Sequence, residues 1–298
     1  MRVAQIGCGR WGAYVLRDLL ALGCDVQVVA LHEESAARAR AIGAASVVAS
    51  IEALADVDGI VVVTPATAHA AVVDQALACG VPVFVEKPLC PDPADASRLA
   101  SSGAGRLFVM DKWRYHPGVL ALAGIAGDGS LGHVRGLRTI RVGWGPRHDD
   151  VDATWVLAPH DLSIALEILG QVPRAAAARG SGDLTRGVVL HGLLEAAGTW
   201  HALEISDRSP QSIRRVELHC AEGVAILAGG WDDHVTLHRS GEDPAGSRIE
   251  TPGELPLLAE LRAFVDHLDG GPPPRSSAAE GAAVVGAIAA LRSLAGLA

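Results

Sequence analysis

The residues that most restrict this chain are its first dozen. Arg2 to Ile6 form a short apolar run, and Gly7-Cys8-Gly9-Arg10-Trp11-Gly12 follows without a gap. Ala13 to Leu22 then carries apolar residues at helical spacing and stops at Gly23, and Asp25 to Leu31 is a second apolar run. A strand, a glycine turn, a helix and a strand within about 30 residues give G-x-G-x-x-G its structural meaning. Gly7 permits the tight turn, Gly9 lets the backbone approach a pyrophosphate, and Gly12 lets the helix pack closely on the strand. Free N–H groups at the helix start then face the phosphate. The spacing predicts a dinucleotide-binding turn made by Gly7, Gly9, Arg10, Trp11 and Gly12.

The end of the second run should carry the residue that reads the ribose. Glu33 stands about 20 residues beyond Gly12, the expected spacing. A carboxylate there accepts from the ribose hydroxyls and repels a 2′-phosphate, and Glu34 adds a second negative charge. The pair favours NAD over NADP. Arg38 and Arg40 are expected on the exposed face of the next helix.

Helical and apolar segments go on alternating to Met110. Strands at Ser46–Val48, Gly59–Val63, Val81–Val85 and Arg106–Met110 alternate with helices at Ala36–Ile42, Ala68–Cys79 and Ala94–Ser101. Such alternation predicts a parallel, doubly wound sheet. Ligands bind at the carboxyl ends of its strands. Thr64-Pro65, Glu86-Lys87-Pro88 and Asp111 to His116 all fall at such ends.

Composition limits the alternatives. A length of 298 residues suggests two domains. Apolar residues make up 49%, too many for a disordered chain. A net charge of −9 gives no general attraction for nucleic acid or an anionic membrane surface. The five cysteines are widely spaced with no C-x-x-C, and the histidines form no metal-ligand set. The start of the chain shows no cleavage signal. The most apolar stretch, Ala282 to Leu297, holds Arg292 and is expected to be too short to span a membrane. A soluble, cytoplasmic protein without metal is the expectation. Only two of the 25 basic residues are lysines, Lys87 and Lys112.

Several ordered motifs resemble the glucose–fructose oxidoreductase / inositol dehydrogenase (Gfo/Idh/MocA) family. GCGRWG opens the chain, and VVVTPATAHAAVVDQALACGVPVFVEKPL is similar to the family's most specific block. Gly132 in SLGHV, Trp113 to Pro117, Trp155 to Leu162, and the end from Phe264 to Leu294 continue the likeness over nearly the whole chain. The resemblance implies a Rossmann domain, residues 1–116, with 271–298 packing back on it. It implies an α+β substrate domain, 117–270, with an open, mainly antiparallel sheet. Candidate strands from Val134 to Leu237 agree, with one clear helix, Trp155 to Leu169. The resemblance also implies NAD-dependent interconversion of a secondary alcohol and a ketone on a sugar or sugar derivative, in a homo-oligomer. Thr64, Pro65, His69, Glu86 and Lys87 join the cofactor residues by the same likeness.

Hydride transfer from a carbinol needs a base for the hydroxyl proton and groups that stabilise the developing oxyanion. By resemblance Lys87 holds the reacting hydroxyl, after a cis peptide before Pro88, and His160 is the second catalytic candidate. Arg114, Tyr115 and Asp161 are the substrate-binding candidates. His116 and the loop of Trp144, Arg147 and His148 lie near them in sequence. The family's Asp four residues before the histidine is Val156 here. Three readings stay open: the Asp is dispensable, one of Asp149, Asp150 and Asp152 substitutes, or ordinary turnover is lost. The last leaves a dinucleotide-dependent regulatory protein. A lyase or glycosidase that uses held NAD is a further alternative.

Overall fold

The computed structural model describes residues 1–145, 148–241 and 245–297. The chain divides into two compact units, one of 1–112 and 255–285, the other of 113–254 and 286–298.

The first unit runs β1 (Arg2–Ile6), α1 (Arg10–Ala21), β2 (Asp25–Val29), α2 (Glu33–Ile42), β3 (Ser46–Val48), β4 (Gly59–Val62), α3 (His69–Ala78), β5 (Val83–Glu86), α4 (Pro93–Ser102) and β6 (Leu107–Met110). All its strand pairs are parallel, in the order β3-β2-β1-β4-β5-β6. β4, β5 and β6 are buried throughout. That is why they read as unbroken apolar runs rather than as alternating ones. Helix α1 turns Val15, Leu16 and Leu19 into the core and leaves its charged residues outward, apart from Asp18. α4 starts where Asp92 accepts from the N–H groups of Ala94 and Asp95, with Pro93 as its first residue.

The second unit runs α5 (Pro117–Asp128), β7 (Val134–Val142), α6 (Ala153–Leu169), β8 (Arg174–Asp183), β9 (Gly187–Ala196), β10 (Thr199–Ser206), β11 (Ile213–Cys220), β12 (Gly223–Leu227), β13 (His234–Arg239) and β14 (Ser247–Glu250). Its eight strands are ordered β14-β13-β12-β11-β7-β10-β9-β8. Every neighbouring pair is antiparallel except β7 with β10. Val119 and Leu122 of α5 and Ile164 of α6 pack on Leu137, Val216 and Leu218 of the sheet. The doubly wound sheet and the mainly antiparallel one are the α/β and α+β halves expected.

Three elements differ from the sequence reading. α5 is an additional helix; its sequence, PGVLALAGIAGD, is weakened as a helical signal by three glycines. Pro117 at its first position and His116 as its cap, accepting from the Gly118 N–H at 3.1 Å, compensate. β8 reads RAAAARGSGD, with no β-branched residue, and pairing with β9 alone makes it a strand. The segment 255–270 groups with the first unit instead of the second, whereas 113–116 and 286–298 group with the second instead of the first. It holds α7 (Pro256–Leu268), whose Phe264 stacks on Phe84 of β5 at 4.9 Å between ring centroids.

The last helix, α8 (Ala278–Ala295), has 18 residues and is long and apolar enough by composition to cross a membrane, which corrects the expectation from its length. Val285, Ile288 and Leu291 are nevertheless buried in the fold. Its Arg292 pairs with Asp152 and donates to the Thr154 hydroxyl at 2.6 Å. One face of the helix is thus buried and the other exposed.

Candidate functional site

The glycine turn is shaped by backbone contacts. Gly7 has φ +95°, and a Cβ there would lie 2.7 Å from the Val63 carbonyl oxygen. A Cβ on Gly12 would lie 2.9 Å from the Gly7 oxygen. Gly9 is different: nothing stands within 4 Å of the position of its missing Cβ. It is also the N-cap of α1 and supplies no side-chain cap, so the first-turn N–H groups stay open to a ligand. At the end of β4 the Thr64 hydroxyl is buried without a hydrogen-bond partner. An open cradle over Gly9, an uncapped helix start and an orphaned hydroxyl fit a dinucleotide phosphate.

Gln5 completes this turn and was not anticipated. It is fully buried, and its Nε2 donates to the carbonyl oxygens of Gly7 at 2.8 Å and Gly12 at 2.9 Å. The available signal was a polar residue inside an apolar central strand. Glu33 and Glu34 open helix α2, where they suit the positive end of its dipole. Each is ion-paired, Glu33 with Arg40 at 2.8 Å and Glu34 with Arg38 at 2.6 Å. Arg38 also donates to the Cys8 carbonyl at 2.8 Å, which brings it back to the glycine turn and off the exposed face expected for it.

The ends of β5 and β6 form a charged edge of the same unit. Trp11 Nε1 donates to Glu86 Oε1 at 2.6 Å, and Lys112 Nζ stands 4.2 Å above the Trp11 ring. The second lysine of the chain is therefore a cation–π partner of the glycine turn. The Lys87–Pro88 peptide is cis. His69 is 1% exposed, with Nδ1 2.8 Å from the Pro88 carbonyl oxygen and Nε2 3.0 Å from that of Thr64. Burial pulls its pKa down. Placed so, His69 staples the ends of β4 and β5 together instead of offering an open face to a cofactor.

Glu260 of α7 escaped the sequence reading altogether. It is fully buried and neither carboxyl oxygen has a hydrogen-bond partner. Burial, reinforced by the charge of Glu86, pushes it well above the usual carboxylate range, and Lys112 and Lys87 pull the other way.

In the second unit the candidates gather around Trp113. His116 stacks on its ring at 5.0 Å, Arg141 lies 4.4 Å from the ring centre, and the His160 ring is tilted at 6.4 Å. Nδ1 of His116 accepts from the Gly118 N–H, which leaves Nε2 to donate to the Gly230 carbonyl at 3.1 Å. This is the neutral ring, and burial pulls its pKa down. Arg114 donates from Nε to Glu167 at 2.9 Å and is buried. Asp161 is 1% exposed and accepts from Arg141 Nε at 2.8 Å. Burial pushes the Asp161 carboxyl up while the Arg141 guanidinium pulls it back. The Asp161 carboxylate thus holds Arg141 in place and has no solvent-facing side to present to a substrate. Tyr115 is half-buried.

Helix α6 is capped by Asp152, whose Oδ1 accepts from the Thr154 N–H at 2.9 Å. Pro159 inside it has no N–H to give, so the Trp155 carbonyl loses its helical partner. Val156 and His160 share one face of the helix across this break. Val156 lines a cavity of about 150 Å³, together with Gly143, His148, Val151, Asp152 and Arg214 among others. Of the three carboxylates that could replace an Asp at position 156, Asp152 is the one that lines this cavity, and Arg292 and Thr154 already engage it. Arg147 lies outside the described residues.

Comparison with known proteins agrees with this geometry. Residues 1–105 match a family described as "Oxidoreductase family, NAD-binding Rossmann fold". The chain is 30% identical over 181 residues to UDP-N-acetylglucosamine 3-dehydrogenase of Acidithiobacillus ferrooxidans, covering 58% of this chain and 56% of the relative. It is 33% identical over 144 residues to inositol 2-dehydrogenase of Acidothermus cellulolyticus, covering 45% and 42%. The matches thus span little more than half the length of these curated relatives, or less. The structure of levoglucosan dehydrogenase with NADH and levoglucosan superposes with a TM-score of 0.88, covering 99% of this chain and 97% of that one at 16% identity, a likeness of fold.

Proposed function

We propose that this chain belongs to the Gfo/Idh/MocA oxidoreductase family, a reading supported by its likeness to that family's NAD-binding fold and to a sugar dehydrogenase, and that it is an NAD(H)-dependent oxidoreductase that interconverts a secondary alcohol and a ketone on a sugar or sugar derivative. The observation that carries this reading is the open, uncapped turn at Gly9 in a parallel sheet, one strand end away from Thr64 and two from Lys87.

NAD, when bound, supplies the acceptor or donor of the hydride. Gly7, Gly9, Arg10, Trp11 and Gly12 are assigned to its phosphates, Glu33 to the ribose, and Thr64, Pro65 and Glu86 to the edge beside them. Gln5 and His69 act as positioning residues, since both are buried and spend their nitrogens on the backbone of that edge. Lys87 exchanges the proton of the reacting hydroxyl, for which an amine suits where an arginine could not give up its proton. His160 serves as the proton relay, a role natural to imidazole near neutral pH. Tyr115 contributes to the substrate; Arg114 and Asp161 act through Glu167 and Arg141. A homo-oligomer in the cytoplasm is part of the same reading.

The test is a screen of sugars, sugar acids and inositols, followed by reduced-nicotinamide absorbance. The expected result is saturable turnover with at least one polyol. Saturable sugar binding with no redox change in any substrate would overturn the reading in favour of a regulatory protein. Turnover without net cofactor change would point to a lyase.

A further inference from the structure

Helix α7 turns Leu257, Glu260, Leu261 and Phe264 inward, a spacing that puts them on one face of the helix. Phe264 stacks on Phe84 of β5 at 4.9 Å between ring centroids. Phe84 and Glu86 stand two residues apart in that strand and so point to the same side of the sheet. Glu260 lies one helical turn from Phe264 and is brought to the same side, where Glu86 closes β5; of the charges acting on it, that of Glu86 is the strongest. Trp11 reaches this edge from α1, with its indole N–H donated to Glu86 at 2.6 Å and Lys112 Nζ 4.2 Å above its ring.

A fully buried carboxyl whose two oxygens accept no hydrogen bond is costly as an anion and holds its proton. The end of β5 brings Glu86 and Lys87 to it, and the end of β6 brings Asp111 and Lys112. Glu86 and Asp111 oppose its ionisation, and Lys112 and Lys87 favour it. Helix α1 supplies the neutral Trp11 ring; its buried acid, Asp18, lies two turns further along and pairs with Arg17 at 2.7 Å. The coupling is mutual. A negative charge on Glu260 strengthens the hold of both lysines on their own protons, by the same free energy with which they favour that charge.

We propose that Glu260 is a positioning residue of the reaction that acts through Lys87: its carboxyl gives up its proton before the lysine does, and the added negative charge keeps Lys87 an ammonium to higher pH. The proposal rests on the role given to Lys87 in the reading above. In the oxidative direction the neutral amine of Lys87 takes the hydroxyl proton as the hydride leaves the carbinol carbon for NAD; in the reductive direction the ammonium returns that proton to the oxygen. An ionised Glu260 therefore widens the pH range in which Lys87 can protonate a ketone and narrows the range in which it can deprotonate an alcohol. Burial sets this apart from an ordinary surface acid, whose charge is already present at neutral pH and is screened by water.

The test uses the two lysines as the chain's own reporters. A carbon-13 label at lysine Cε gives one resonance for Lys87 and one for Lys112, told apart with Lys112→Arg, and each shifts as its ammonium loses a proton. The full chain is titrated without cofactor or substrate as wild type, Glu260→Gln and Glu260→Met, the last an apolar side chain of similar length that suits the buried position. We expect both substitutions to lower the Lys87 midpoint by about 0.5 pH unit and the Lys112 midpoint by more, short of the roughly 1–3 units of a charge in direct contact. Should the fold open before the amines titrate, the acetylation rate of each lysine at about pH 9, read by peptide mass spectrometry, should rise about threefold in both variants. A Lys87 midpoint, or acetylation rate, equal to wild type in a folded variant would overturn the proposal. So would a shift in Glu260→Gln that Glu260→Met does not share, since that marks a structural effect and not a charge. These readings need no turnover, so a chain that oxidises no polyol would strike the oxidoreductase reading and leave the coupling of Glu260 to Lys87 decided on its own.

Discussion

The glycine turn of the first unit presents mostly backbone, whereas the cavity of the second presents mostly side chains. Around Gly9 the ligand-facing groups are N–H donors at the start of α1, held by Gln5 from within β1. The cavity beside Val156 is lined instead by residues from the loop after β7, from α6, from the turn between β8 and β9, from the end of β10 and from β11. A backbone site is fixed by a few residues adjacent in sequence. A side-chain site is assembled from distant segments, and each member needs its own packing and its own counter-charge.

The comparison can be broken in several ways, the largest effect first. Lys87→Ala removes the proposed proton-exchanging group from the first unit without touching the turn. Turnover should fall by about 10²–10⁴-fold, the usual share of acid–base catalysis, with NADH affinity unchanged in a fluorescence titration. Wild-type activity in this variant would remove Lys87 from the mechanism.

Asp161→Asn probes the second unit at its charge network. It strands Arg141, 4% exposed at the side chain, without its carboxylate. A loss of about 3–5 kcal/mol in urea unfolding is expected, because an unpaired buried charge is what remains. A loss within error would show that the cluster around Trp113 does not depend on that pair.

A smaller effect sharpens the account of the first unit. Glu260 has a folded-state pKa above its ordinary 4.5, chiefly through burial. The tighter proton in the folded state stabilises fully below 4.5 and is lost as pH rises through the folded value. Glu260→Gln does not titrate, so its stability relative to wild type should improve as pH rises from about 5 to 8. Thermal midpoints measured across that range should diverge; parallel curves would mean that Glu260 is ionised throughout.

The same contrast decides what the sequence made legible. The strand, turn and helix of residues 2–21 could be placed nearly residue by residue, because glycine at those positions answers local sterics. Lys87 stood out as one of two lysines in a strand-end motif. Lys112 had no such motif, and its place over Trp11 depends on β6 lying three strands from β1 in the sheet. Asp161 looked like a substrate ligand because sequence cannot reveal Arg141, 20 residues away on β7, turning toward it. α5 was hidden by its glycines and β8 by its alanines, where tertiary pairing overrides propensity.

The most direct test of the central claim, that the turn at Gly9 with Glu33 and Glu34 makes a site for NAD, is the affinity of the purified chain for NADH and NADPH side by side. Arg38 and Arg40 are each engaged by one of these glutamates, so the carboxylates should govern the choice. The account predicts NADH binding at least about tenfold tighter than NADPH. Equal or tighter binding of NADPH would contradict it.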